Sequence, residues 1–436
     1  MVTNHQCHRK RSWLVTLIGI HIVLCCISLI VIATHPLSSI DLAQSHIHYD
    51  PSRLYGAILA TAAFALFAPL FACSRFSFGY FVGFYFYTMV LGYLWQASFS
   101  DLNYDHLSGQ FSAAASVVAL LLPALFFVSP VAQTYVLSAK SFERLMLFIF
   151  LLGVAVVVIS SAYNFQLASI DDIYKFRGKV EFPIILRYLV GITTSSLLPF
   201  AFAGFIARKA FWRAGAVLIL LFFFYPVTLS KLSLFTPCWL VALLILSKLV
   251  EARLVVILSL LAPVLAGVLL LRLLGEHAAS YFTIVNFRMI AIPSVAMDVY
   301  NDFFATHELT HFCQISVLKR LVACPYQDQL SVVMQQAYKL GYLNASLFAT
   351  EGIASVGGRY APVAAFACGL VIALGNRLSA GLPSGFILLS AAVIPQVLLN
   401  VPLTTVLLTH GMGLLFLLWY VTPRSIFEPE NVTQSA

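Results

Sequence analysis

Apolar residues run through the chain in blocks of about 20, the length that carries a helix across a bilayer core. Short polar stretches separate the blocks. Twelve are readable: 12–34, 54–73, 76–97, 111–133, 143–163, 184–207, 211–229, 233–248, 253–274, 360–376, 383–400 and 402–422. The pattern therefore predicts about 12 transmembrane helices and no β-structure. The seventh and eighth blocks are parted only by Thr228, Ser230, Lys231 and Ser233, so they also read as one broken hairpin. The first follows His8, Arg9, Lys10 and Arg11. It is longer than the apolar core of a cleaved leader, about 7–15 residues, and reads as a signal anchor.

Two connections depart from this rhythm. Residues 166–183 carry Asp171, Asp172, Lys175, Arg177, Lys179 and Glu181. Residues 275–359 form a segment of roughly 85 residues, against a usual connection of about 4–6. Within it, Val317, Leu318, Leu321 and Val322 predict one short helix. Leu330, Val333, Met334, Ala337 and Leu340, spaced by three and four, predict another that ends at Gly341. The organisation expected is one membrane domain over 1–436, with a loop subdomain at 275–359 whose short helices lie over the mouth of a cavity.

Composition narrows the class. Of 436 residues, 61% are hydrophobic and 10% charged, and the mean hydropathy is +0.93. Soluble domains carry about 25% charged residues, so a soluble enzyme, a nucleic-acid binder and a secreted disulfide scaffold are all disfavoured. With 36 Phe and 19 Tyr the chain is not a disordered one. The net charge of +8 has a topological origin. With the N-terminus inside, the short inner connections hold Arg75, Lys140, Arg144, Arg208, Lys209, Arg213, Lys248, Arg253 and Arg377, as the positive-inside rule requires. Both termini are then cytoplasmic, and the charges of the outer segments nearly cancel.

Five cysteines, Cys25, Cys26, Cys73, Cys238 and Cys368, sit in or beside the apolar blocks and read as small buried hydrophobes. Cys313 and Cys324 share the long segment. An oxidising compartment permits their pairing. Continuous helix would hold them about 16 Å apart, and a disulfide needs Cα atoms within about 7 Å, so pairing requires a turn between them.

Candidate chemistry lies in the outer segments. His307-Glu308-Leu309-Thr310-His311 matches HExxH, which on a helix places two His on one face for zinc. Neither the flanks nor a third ligand supports that geometry, so His307 and His311 read as loop or substrate-site histidines. The outer cations include Arg177, Arg187, Lys231, Arg288 and Arg359. Any cation near a span end is first a snorkelling side chain. Arg187 follows the apolar Pro183–Leu186, and Lys231 stands between two apolar blocks. A charge drawn into the membrane usually faces a cavity or a partner, and such cations suit a pyrophosphate. Gly352, Gly357 and Gly358 read either as a flexible lead into a span or as backbone approaching a ligand near Glu351.

Residues 281–304, with Arg288, Pro293 and Tyr300, followed by 341–358 and an apolar span, resemble the outer segments of Wzy-type oligosaccharide repeat-unit polymerases. The likeness covers about half of the chain, over 166–377, and its motifs are degenerate; the His307–His311 string has no counterpart in it. The resemblance implies a glycosyltransferase C-like fold in a bacterial inner membrane. The implied activity is an inverting transfer that joins undecaprenyl-pyrophosphate-linked oligosaccharide units at the periplasmic face. No cofactor or metal is implied, and no nucleic acid; membrane lipid and a chain-length regulator protein are the implied partners. Arg177, Arg187, Lys231, Arg288 and Arg359 would bind the pyrophosphate. Glu351, His307, His311 and Asp302 are the candidates for taking the acceptor's proton. The competing readings are a polytopic transporter or flippase of lipid-linked sugars, and an O-antigen ligase-like transferase.

Overall fold

A computed structural model describes residues 2–34, 46–167, 182–315, 318 and 323–427. Among them every regular element is helical. Among the described residues nine helices are long and apolar enough to cross a membrane. The number is ten if Leu403–Thr409 and Met412–Val421, bent by 61°, form one broken span. This is the make-up of a multi-pass membrane protein.

The expectation of twelve spans is corrected at two places. The block at 76–97 is present as the 20-residue helix Phe78–Ala97, but it does not belong to the nine. All of its residues are buried, so it has no lipid-facing side that must be apolar, and it carries Tyr80, Tyr85, Tyr87, Tyr93 and Gln96. Buried tyrosines need partners for their hydroxyls. Tyr85 meets Ser259 Oγ at 3.1 Å, and Tyr87 donates to the Phe64 carbonyl at 3.3 Å. The block at 383–400 is two short helices, Ser384–Ser390 and Ile394–Leu398. Pro395 lacks an N–H and suits the first turn of a helix rather than the middle of one, so the chain restarts there.

The segment after 274 also differs from expectation. The chain turns at Gly275, whose φ of +56° favours glycine, and helical structure resumes instead of a loop. Within the apolar helical stretch Ala252–Thr306 the residues after the turn fold back against the helix before it. Tyr281 donates to the Pro263 carbonyl at 3.2 Å, and Asn286 Nδ2 to the Val264 carbonyl at 3.0 Å. Polar residues scattered through 275–302 disguised this helix. The extended segment therefore begins at His307, with the helix Leu330–Tyr338 inside it. That helix ends earlier than Gly341, because Lys339 adopts the left-handed conformation (φ 59°). The helix expected at 317–322 lies almost wholly outside the described residues.

The chain packs as two compact units. The first comprises Met1–Phe127, Arg253–Ala373 and Pro395–Thr405. Its core is built around Phe78–Ala97, with Phe71 and Tyr80 edge-to-face at 5.4 Å and Phe86 against Phe348 at 5.0 Å. Gly369 allows a close helix approach: a Cβ there would stand 2.6 Å from the Leu120 carbonyl.

The second unit comprises Val128–Ala252, Leu374–Ile394 and Val406–Ala436. Phe200 bridges Phe142 at 6.0 Å and Phe386 at 5.5 Å. The helix over Ile184–Ala207 contains a π-helical turn, Thr193–Leu197. There Ser196 donates to the His410 carbonyl at 2.6 Å, beside the break at Gly411.

Candidate functional site

The polar centre of the first unit forms where the connection 98–105 meets the helix Ile292–Thr306. The connection is held by residues 46–53. Ile47 and Ser100 form an antiparallel bridge, His48 N–H donates to the Phe99 carbonyl at 3.0 Å, and Asp101 N–H to the His46 carbonyl at 2.8 Å. The Asp101 carboxylate binds His48 Nδ1 at 2.8 Å and Arg53 at 3.1 Å. Asp105 then starts the next helix by accepting from the Ser108 N–H at 3.1 Å, an ordinary N-cap.

This fixed connection presents Ser100 and Tyr104 to Asp298, which is fully buried. Ser100 Oγ donates to Asp298 Oδ2 at 2.6 Å, and the Tyr104 hydroxyl donates to Oδ1. Tyr104 also meets the Tyr93 hydroxyl at 3.0 Å, and Asn301 Nδ2 donates to Tyr93 at 3.0 Å. Gly109 makes room for both rings: a Cβ there would lie 2.7 Å from the Tyr93 hydroxyl and 2.9 Å from the Tyr104 ring. One helical turn beyond Asp298, Asp302 accepts from the Tyr338 hydroxyl at 2.5 Å. Burial, with Tyr93 and Asp298 close by, pushes the Tyr104 phenol far above its ordinary range. Burial and the bond to Asp302 do the same to Tyr338. Both phenols are therefore protonated donors at neutral pH.

Beside this network lies a cavity of about 190 Å³, with Tyr104, Asp105, Asn301, Phe304 and Arg359 among the residues in its wall. Arg359 is placed by a break in the helix: Gly357 has φ +75° and ψ 161°, and Ser112 Oγ donates to the Gly358 carbonyl at 2.5 Å. The Arg359 guanidinium lies 5.9 Å from the Tyr360 ring centre. Gly357 and Gly358, two of the three glycines singled out in the sequence, thus shape the approach to the cavity.

Of the residues expected to form a site, Arg359 lines the cavity, and Asp302 and His307 belong to the same helix end. His307 stacks on Phe303 at 3.9 Å and directs Nδ1 to the Phe303 carbonyl at 2.8 Å. The HExxH string is not helical. The helix stops at Thr306, and His311 and Phe312 are both left-handed, with φ 45° and 63°. This stretch is pinned across the chain, Thr310 N–H to the Ala354 carbonyl at 2.8 Å and His311 N–H to the Ser355 carbonyl at 3.2 Å. Among the described residues no three His, Cys, Asp or Glu side chains gather as metal ligands.

Glu351 is buried in the π-helical segment Phe348–Ala354 and faces away from this chemistry. Its Oε1 accepts from Thr404 N–H at 3.0 Å and Thr404 Oγ at 3.1 Å; its Oε2 accepts from Thr350 Oγ at 2.6 Å. The carboxylate thereby caps the helix Leu403–Thr409, whose first N–H groups have no partner within the helix. Arg288 is exposed on another π-helical segment, Thr283–Ala291. In the second unit Arg187 is exposed and Lys231 half-buried at the start of its helix. Arg177 lies outside the described residues.

Cys313 and Cys324 form a disulfide with Cα atoms 5.3 Å apart. The turns at 310–315 supply the reversal that a continuous helix would have prevented. Tyr326 closes the same stretch by donating to the Glu308 carbonyl at 2.7 Å.

Sequence reasoning did not find Asp298, Tyr104, Tyr93 or Asn301. One signal was available. Asp298 interrupts the apolar Val295-Ala296-Met297 and Val299, and an acid within an apolar helix is a functional candidate by default. The assembled site offers a cation at its rim, hydroxyl and amide groups in its wall, and an aromatic face, a set suited to a hydroxyl-rich ligand carrying an anionic group. Compared with protein-family models, curated proteins and solved structures, the chain matches none of them.

Proposed function

We propose that the protein is a membrane glycosyltransferase that joins undecaprenyl-pyrophosphate-linked oligosaccharide units at the periplasmic face of a bacterial inner membrane. The observation that carries this reading is the cavity beside Asp298, where a cation and a set of sugar-compatible groups meet at one end of an apolar helical unit. The leaving group is a lipid pyrophosphate, and positive charge must stabilise it as the glycosidic bond breaks. Arg359 supplies that charge at the cavity, with Arg288, Arg187, Lys231 and Arg177 as further candidates. The acceptor hydroxyl must lose a proton to a base within hydrogen-bond reach. Asp302 and His307 belong to the helix end whose Asn301 and Phe304 line the cavity and stay candidates, whereas the oxygens of Glu351 are already engaged. His311 is held through its backbone.

The side of the membrane is supported by two independent features. The Cys313–Cys324 bond requires an oxidising compartment, and the short connections assigned to the opposite side carry the basic residues. The test is reconstitution of the purified protein with undecaprenyl-pyrophosphate-linked repeat units. A ladder of joined units is expected, and Arg359→Ala should reduce its rate by about 10²–10³-fold, the usual effect of removing one charge-stabilising group. Transport of the units across the bilayer without joining would instead identify a flippase.

A further inference from the structure

Asp298 is an expensive feature. A carboxylate inside an apolar helix is costly unless its charge is compensated. Here both oxygens accept from neutral hydroxyls, Ser100 and Tyr104, and no ion pair reaches it among the described residues. An asparagine in its place would offer one acceptor oxygen to these two donors and could not take up a proton.

The bonds around it have a defined direction. An ionised carboxylate accepts only, so the Tyr104 proton points to Asp298. The Tyr104 oxygen then accepts from Tyr93, whose own oxygen accepts from Asn301 Nδ2. Tyr104 and Asn301 reach the cavity wall; Asp298 lies behind them. In the plane of its ring a phenol donates one hydrogen bond and accepts one, and the Tyr93 hydroxyl holds the accepting place on Tyr104. A hydroxyl bound in the cavity would take that place from Tyr93.

We propose that Tyr104 meets the acceptor sugar hydroxyl and relays its proton to Asp298, which acts through Tyr104 as the positioning carboxylate and final proton acceptor. This rests on the glycosyl-transfer reading. In the step, the acceptor oxygen forms a bond to the anomeric carbon, and the bond from that carbon to the pyrophosphate oxygen breaks, its electron pair leaving with the pyrophosphate. The acceptor proton passes to the Tyr104 oxygen while the Tyr104 proton passes to Asp298 Oδ1. The phenol ends neutral and the carboxylate ends as a carboxylic acid, which returns its proton by the reverse path after the product leaves. The relay suits a tyrosine that never needs to exist as a free phenolate.

The test is steady-state polymerisation by the full-length protein in proteoliposomes, with undecaprenyl-pyrophosphate-linked repeat units as substrate. Asp298→Asn keeps an oxygen for the Tyr104 bond and an amide for Ser100 but cannot take the proton. Its kcat should fall by about 10²–10⁴-fold, the range for general-base catalysis, with KM unchanged. Asp298→Glu should recover part of that loss. Tyr104→Phe should match Asp298→Asn, and the double variant should be no worse than either. Wild-type polymerisation accompanied by a normal kcat in Asp298→Asn or Tyr104→Phe overturns the relay alone. So does a loss that appears only in KM, or one that Asp298→Glu does not relieve. If Asp298→Asn fails to fold, the Tyr104→Phe kcat decides. A wild-type protein that joins no units overturns the glycosyl-transfer reading, and the relay with it.

Discussion

Replacing Glu351 by Ala removes an acceptor that serves three donors at once, and the structure sets the size of the loss. Thr404 N–H has no alternative acceptor inside its own helix, because it lies in the first turn. Leaving a buried donor unsatisfied costs about 1–3 kcal/mol. The Thr350 hydroxyl loses less, since it can turn fully to the Ser346 carbonyl at 2.9 Å. Loss of the cap and the small void left by the side chain bring the expected total to about 3 kcal/mol. For a unit of this size that corresponds to a fall in Tm of about 5–10 °C. Glu351→Gln keeps Oε1 for Thr404 and offers an amide N–H to Thr350 Oγ, so its loss should stay near 1 kcal/mol. Thermal unfolding in detergent measures both, and polymer formation is assayed on the same samples. If Glu351 were the base, Glu351→Gln would be stable and about 10²–10⁴-fold slower. The capping role predicts an active Gln variant and an unstable Ala variant. A stable, inactive Gln variant, or an Ala variant as stable as wild type, refutes the reasoning.

Other positions give independent checks. Gly267→Ala places a Cβ 1.8 Å from Asn286 Oδ1 and must displace a side chain bonded to Ser28 Oγ and the Val264 carbonyl; a loss of about 1–3 kcal/mol is expected, and unchanged thermal stability would show that the turn at Gly275 is held otherwise. Cys313 and Cys324 should resist a membrane-impermeant thiol reagent until reduced, then react from the periplasmic side; labelling from the cytoplasmic side would reverse the topology. Arg288→Ala and Arg187→Ala should each abolish long polymer at normal protein levels, and retained polymer in both removes those residues from the pyrophosphate site.

The apolar helices were legible because lipid-facing helices must be apolar over a fixed length. The expected 184–207 and 211–229 fall at Ile184–Ala207 and Phe211–Thr228. Phe78–Ala97 was legible as a helix but not as the core of its unit, since full burial frees a helix from the lipid constraint and lets tyrosines accumulate. The stretch 279–306 was misread for a related reason. Its polar residues face protein partners, Asn286 to Ser28 and Asp298 to Ser100 and Tyr104, and such partners are invisible in a hydropathy pattern. The cavity unites residues near 104, 301 and 359, and Glu351 is explained only by Thr404. No spacing rule links positions so far apart. The disulfide depended on a reversal made by two left-handed non-glycine residues, His311 and Phe312, which the sequence does not announce.

The most direct measurement of the central claim is the product formed when the purified protein, alone in liposomes, meets undecaprenyl-pyrophosphate-linked repeat units on the side bearing residues 307–347. Gel separation of the glycans should show a ladder rising in single-unit steps, with one equivalent of undecaprenyl pyrophosphate released per bond formed. Repeat units recovered unjoined, with no pyrophosphate carrier released, would contradict it.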